Sequence, residues 1–421
     1  MVDDELRKRE GGLGLREDAS IVTAPDVGRV VESAPVKEPE TPGEWIKLNL
    51  FSGVLNSILS IISIVLVMWA GFKLFNFVFV NSEWQVIRVN MKGYMVGGIP
   101  LEDVWRIWVC LYLIAILAGF SQGSVGRPPV MTRRKTVIAV LVALVAVSIV
   151  WFTTTTALAR ALSFLVPVAV GASYVLGRSV GPRARNALRV AWLLWFPVTL
   201  LLIRGFDGVP PRLWGGFFFN LIAAVVAIVA SFPIGIALAL GRRSSLPAIR
   251  MFCVVVIEVF RGAPLVGWLI FAKYGLEFLL PPGMEVPDII KALIMMTMFS
   301  AAYIAEIVRG GLQGVPAGQY EAAKALGLST SRMMALIVMP QALRATIPAL
   351  ISHFISLFKD TALFTVISVT ELLEAASRLG LEFLGQEAQT LTFAALLFWM
   401  VAFTMSRWSQ RLEVRLGVGE R

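Results

Sequence analysis

Apolar residues in this chain fall in long unbroken blocks, not in the narrow stripes of a soluble helix or the alternation of a half-buried strand. Blocks near the spanning length of about 17 to 25 residues lie at 52–79, 107–122, 136–156, 161–177, 188–205, 214–240, 251–272, 289–308, 342–358 and 390–406. A helix that is hydrophobic all round belongs in a bilayer, and the ten-residue alternating segments of a membrane barrel are absent. The expected fold is all-α: a polytopic integral membrane protein with about ten transmembrane helices. Only a few residues around Ala159 and Arg160 separate the third and fourth blocks, which reads as a tight hairpin or as one span too many.

Residues 1–45 mix charges of both signs with several prolines, the signature of a solvated, disordered tail. They lack the basic, apolar and small-residue order of a secretory signal, so the first apolar block is expected to stay as an anchor. Basic residues then orient the chain, because cytoplasmic connections carry more of them. Arg127, Arg133, Arg134 and Lys135, then Arg178, Arg183, Arg185 and Arg189, then Arg242, Arg243 and Arg250, all fall on one side with both termini. That side is predicted to be the cytoplasm. The expected divisions are the tail at 1–45, extra N-terminal membrane helices at 46–206, a five-helix core at 207–409 and a cytoplasmic tail at 410–421. The main break falls at Asp207–Pro211.

Composition sharpens the choice of function. Hydrophobic residues make up 57% of the chain and charged residues 16%, against about 25% charged in soluble proteins. The net charge of +10 would suggest nucleic acid in a soluble protein, but here the basic residues serve the membrane connections, and lipid is the expected environment. Cys110 and Cys253 both lie in apolar blocks, so no disulfide framework or zinc site is expected. The single histidine, His353, reads as an ordinary helix residue. With one histidine there is no nucleophilic triad, and neither a metal centre nor a resident cofactor is expected.

The stretch 310–340 is the longest inner connection. Pro316 suits the first turn of a helix, 317–326 has high helix propensity, and Gly327 can supply a left-handed terminating residue. Ser329 can cap a second helix running toward Pro340. This is a helix, a sharp turn and a helix on the cytoplasmic face, with small residues at 322, 323 and 325 that let another surface approach. An ordinary polar connection would show the same capping.

Glu321-Ala322-Ala323, Gly327, Ile337, Met339 and Pro340, at their spacing, resemble the EAA loop of permease subunits in ABC importers. The stretches Ile257–Leu265, Ala302–Gly311 and Phe358–Leu363 are similar to the polar amino acid branch. Met91–Tyr94 and Ile99–Arg106 resemble the general L-amino acid permeases, which carry additional N-terminal helices. The resemblance covers about 214–406 and implies a type I permease core. It also implies three partners: a separate ATPase that docks on Glu321, Ala322, Ala323, Gly327, Ile337 and Pro340, a second similar permease in a heterodimer, and a periplasmic amino-acid-binding protein. No phosphate-binding loop ending in Gly-Lys-Ser/Thr occurs in this chain, so ATP and Mg are expected on the ATPase subunit. The location implied is the bacterial inner membrane.

Ionisable residues within apolar helices face a bundle interior or a wet cavity. Glu258 and Arg261 sit at i and i+3 on one helix face, Glu306 near an inner end, and Lys359 with Asp360 near an outer end. Arg261 can grip a carboxylate in bidentate fashion, and Glu258 an ammonium. These five are the candidate substrate path. The competing reading is that they pair among themselves and lock helices together. The competing function is an ion-coupled secondary transporter that uses the same carboxylates.

Overall fold

A computed structural model describes residues 41–125, 156–205, 207–383 and 385–416. Its chain falls into two compact units that divide between Asn81 and Ser82. In the first, α1 (Pro42–Leu50) starts at Thr41, whose hydroxyl accepts the Glu44 N–H at 3.2 Å, with Pro42 in the first turn. Helix α2 (Val54–Phe75) continues as a π-helical turn over Asn76–Asn81. It buries no side chain within its unit, the condition of a helix solvated by lipid.

The second unit opens with α3 (Gln85–Val89), α4 (Met91–Val96) and α5 (Val104–Ser124). Then come α6 (Ala157–Val180) and α7 (Arg185–Arg204). Hydrogen bonds fix their directions. Tyr112 donates to the Leu162 carbonyl at 2.7 Å, and Ser124 donates to Gly181. Helices α5 and α6 are therefore parallel. Trp192 donates to Ser121 at 2.9 Å, and Arg106 donates to the Leu202 and Gly205 carbonyls. Helix α7 is therefore antiparallel to α5, and the chain doubles back at Gly181, whose φ of +63° is the left-handed geometry glycine supplies. Ala159 and Arg160, read from sequence as a connection, lie in the first turn of α6. The block at 136–156 lies almost wholly outside the described residues.

The remaining helices form the core: α8 (Gly216–Gly241), α9 (Pro247–Gly262), α10 (Leu265–Ile270), α11 (Asp288–Gln313), α12 (Ala317–Ala325), α13 (Thr330–Met333), α14 (Met339–Asp360), α15 (Leu372–Glu382) and α16 (Glu387–Leu416). Helices α8 and α11 meet through small side chains, as membrane helices do where packing replaces the hydrophobic effect. Ala223, Ala227, Ala301, Ala302 and Ala305 are buried. A Cβ on Gly235 would stand 2.6 Å from the Ile304 side chain, and one on Gly311 2.4 Å from Thr346 of α14. Glycine is what permits both approaches.

Among the described residues, seven stretches are long and apolar enough to cross a membrane, or eight counting one bent pair. The count of ten is not confirmed. One stretch, Ala157–Arg204, is the α6–α7 hairpin and holds two of the predicted blocks. The block at 251–272 is not one straight span. Gly262, Ala263 and Pro264 break it, and the two halves meet at 102°. The extended Ala263 obeys the steric rule for a residue before proline.

Candidate functional site

The stretch after α11 folds as its residues dictate. Pro316 precedes α12, and α12 ends in a Schellman closure. The Leu328 N–H donates to the Ala323 carbonyl at 3.2 Å, and the Gly327 N–H to Lys324 at 2.9 Å. Gly327 has φ +70°, the left-handed residue such a closure demands. Ser329 occupies the expected cap position, but its hydroxyl makes no capping hydrogen bond. The second helix does not stop at Pro340. Helix α13 runs through a π turn at Met334–Val338 into α14. The wider π turn falls where a proline leaves no N–H to bond.

Ala323 is fully buried against a cluster that includes Leu312, Val315, Met333 and Val338. Glu321, Ala322, Gly327 and Pro340 are exposed, and Ile337 is half-buried. Leu326 and Leu336 are 77% and 67% exposed. The corner therefore presents small residues and two bare leucines outward. Tyr320 anchors it from behind by donating to the Leu312 carbonyl at 3.1 Å. The Gln341 side chain donates to Gln319 at 3.1 Å.

Near the same end of the helices, five charged side chains converge. Glu306 of α11 receives three guanidinium groups. Arg309 bonds it from one turn along α11, Arg242 Nη1 lies at 3.4 Å and Arg261 Nη1 at 3.7 Å. Arg242 also reaches Glu258 at 3.2 Å. Glu258 and Arg261 thus share a helix face but pair with different partners. Three positive charges meet two negative ones, leaving a net positive site. The Arg261 guanidinium stands over the Tyr303 ring at 5.7 Å, and its buried Nε–H has no hydrogen-bond partner. Arg261 sits in the last turn of α9, where the helix carbonyl ends favour a cation.

Lys359 and Asp360 close α14 at its far end, one exposed and one half-buried. Among the described residues no ion pair brings them to the Glu306 cluster. Between the two levels runs a polar line. His353 lies 2.9 Å from the hydroxyl of Ser300, which lies 2.9 Å from that of Ser231. The imidazole also stacks on Tyr303 at 5.8 Å.

Sequence reasoning missed Arg242, Arg309 and this line through His353. Arg309 could have been found, since it stands at i+3 from Glu306. Arg242 was read only as a loop charge. It also missed a buried network away from the cluster. Asn220 of α8 donates to Thr361 at 3.0 Å and to Glu371 at 2.9 Å, and accepts the Leu372 N–H at 3.0 Å. The fully buried Glu371 caps α15, and burial pushes its carboxyl up to about 7.

The family described as "Binding-protein-dependent transport system inner membrane component" matches residues 231–417. The inner membrane amino-acid ABC transporter permease protein YhdY of Escherichia coli is 33% identical over 383 residues, covering 89% of this chain and 93% of its own. The glutamate/glutamine/aspartate/asparagine transport system permease protein BztC of Rhodobacter capsulatus is also 33% identical, with the same coverage. A crystal structure of an amino acid ABC transporter with histidines aligns over 48% of this chain and 92% of that one, at 30% identity and a TM-score of 0.44. With a full-length likeness at this level, and the capped helix and turn at 317–328 in place, the chain belongs to the binding-protein-dependent transport system inner membrane component family, the multi-pass inner membrane permeases of ABC importers.

Proposed function

We propose that this chain carries amino acids across the inner membrane as one permease of a heterodimer, supplied by a periplasmic binding protein. The observation that carries the reading is the exposed, Schellman-capped corner at 317–328, rigidly backed by α11 and α14. Its outward leucines and small residues suit a groove on an ATPase, which would hold the ATP and Mg. In this reading Glu321, Ala322, Gly327, Ile337 and Pro340 form the docking element, and both termini lie in the cytoplasm; Ala323, expected from sequence on the docking face, instead packs behind it against Leu312 and Val338. Amino acids as cargo are supported by the names of the full-length relatives and by the chemistry of the charged cluster. The partly exposed Arg261 guanidinium offers donors to the carboxylate, while Glu258 and Glu306 offer acceptors to the ammonium. Lys359 and Asp360 would meet the cargo earlier, near the outer mouth.

The test is uptake by the chain assembled with its co-purifying subunits in proteoliposomes, using a panel of labelled L-amino acids. Uptake that requires internal ATP and survives an uncoupler is expected. Uptake that follows an ion gradient and ignores ATP would replace this reading with a secondary transporter.

A further inference from the structure

We infer that Arg243 and Tyr320 are positioning residues that transmit motion of the coupling corner to the Glu306 cluster. The inference rests on the importer reading above and deepens it. Arg242 and Arg243 are consecutive residues immediately after α8, yet they face different neighbours. Arg242 enters the cluster, meeting Glu258 at 3.2 Å and Glu306 at 3.4 Å. Arg243 turns to the corner: its Nη1 donates to the Tyr320 hydroxyl at 3.4 Å, and its guanidinium stands over the Tyr320 ring at 5.9 Å. The same hydroxyl donates to the Leu312 carbonyl at 3.1 Å.

Tyr320 is thus a three-way joint. It ties α12 to the end of α11 through Leu312, and ties both to the turn after α8 through Arg243. One peptide bond separates Arg243 from Arg242, and the turn that carries both is held by the Arg242 N–H to the Leu238 carbonyl at 2.9 Å, the Arg243 N–H to Leu240 at 3.0 Å and the Ser244 N–H to Gly241 at 3.0 Å. When the corner moves, Tyr320 moves with it, and the turn at Arg242–Arg243 is drawn along. That shift acts on Glu306 and Glu258 together, and hence on Arg261, whose Nη1 lies 3.7 Å from Glu306. The polarity of the cluster would then change in step with the corner. Both residues lie outside the charged cluster and pair with each other, so their effect falls on the link between hydrolysis and uptake.

The experiment uses the assembled complex in proteoliposomes with the amino acid that the wild type takes up best. Hydrolysis and uptake are measured together for Arg243→Ala, Arg243→Lys, Tyr320→Phe and the Arg243→Ala/Tyr320→Phe double variant. Tyr320→Phe keeps the ring and removes only the hydroxyl. In the two alanine-bearing variants, amino acid moved per ATP is expected to fall about tenfold, within the range of coupling between sites, while hydrolysis continues. Arg243→Lys recovers part of the loss, because it keeps the charge over the ring. The double variant is no worse than the more affected single one, as expected for two members of one joint. Hydrolysis and uptake that fall in parallel, or a ratio unchanged in complexes that still hold the ATPase, would overturn the inference. A wild-type complex without ATP-driven uptake would instead refute the importer reading on which it rests.

Discussion

Replacing Gly327 isolates the backbone geometry of the corner from its contacts. The residue has φ +70°, and a Cβ there would meet nothing within 4 Å. The cost of a side chain is therefore conformational, with no clash in the chain itself. An L-residue in the left-handed region pays about 1–2 kcal/mol. Asparagine pays less, because its short polar side chain tolerates that region, and a β-branched residue pays more. Helix α12 has nine residues, too few to hold its shape unaided. A penalty of this size, set against the two closing hydrogen bonds from Leu328 and Gly327, opens the corner in an appreciable fraction of molecules. The series Gly327→Asn, Gly327→Ala and Gly327→Val should lose amino acid moved per ATP in that order. The assay is simultaneous uptake and hydrolysis in proteoliposomes, with ATPase retention checked by co-purification. A Gly327→Val complex that holds its ATPase and couples as well as the wild type would refute the reasoning.

Other substitutions probe the packing and the charges. Gly235→Val puts a side chain 2.6 Å from Ile304 and should cost about 1–3 kcal/mol by overpacking, seen as a lower thermal midpoint in detergent; Gly171→Ala, with nothing within 4 Å, should be neutral. Glu306→Gln should lower that midpoint more than Glu258→Gln, because Glu306 serves three guanidinium groups and Glu258 one. Equal effects would remove Glu306 from the centre of the cluster. Glu371 predicts a pH dependence. Its carboxyl is raised from 4.5 to about 7 by burial, so its contribution is full below pH 4.5 and is lost as pH rises to about 7. The loss amounts to about 3 kcal/mol, and Glu371→Gln should flatten the decline of the midpoint across that window.

Hydropathy made the spans legible because it measures which side chains lipid can solvate. It marked the block at 342–358, whereas α14 runs Met339–Asp360 and is joined without a break to α13. The turns beyond each block carry polar residues that water at the interface accepts, so periodicity stops before the helix does. The positive-φ role of Gly327 was legible for another reason: it depends on the chemistry of one residue. The partners of Glu306 were not, apart from Arg309. Arg242 lies 64 residues away in sequence, and Asn220 lies 151 from Glu371. Pairings across helices depend on which helices are neighbours, and no local pattern records that.

The same distinction applies at Pro340, where the sequence predicts a helix running toward the proline and not its continuation beyond. A proline inside a helix often breaks it, and a break at Pro340, after the apolar run 333–339, would leave the corner hinged beneath the membrane. The π turn at Met334–Val338 instead widens the helix in the turn before the proline, and helical backbone continues from Thr330 through Ile367. The corner at Gly327 is thus joined to the bilayer through a rod on one side and through the end of α11 on the other. Leu328 and Ser329 are the only residues between Gly327 and that rod. A force applied to the exposed leucines at 326 and 336 has little slack to take up before it reaches α14 and, through Tyr320 and Leu312, α11. Stiffness on both sides is what the proposed coupling role requires of so short a helix. The closure at Gly327 is the point at which that stiffness is most easily lost.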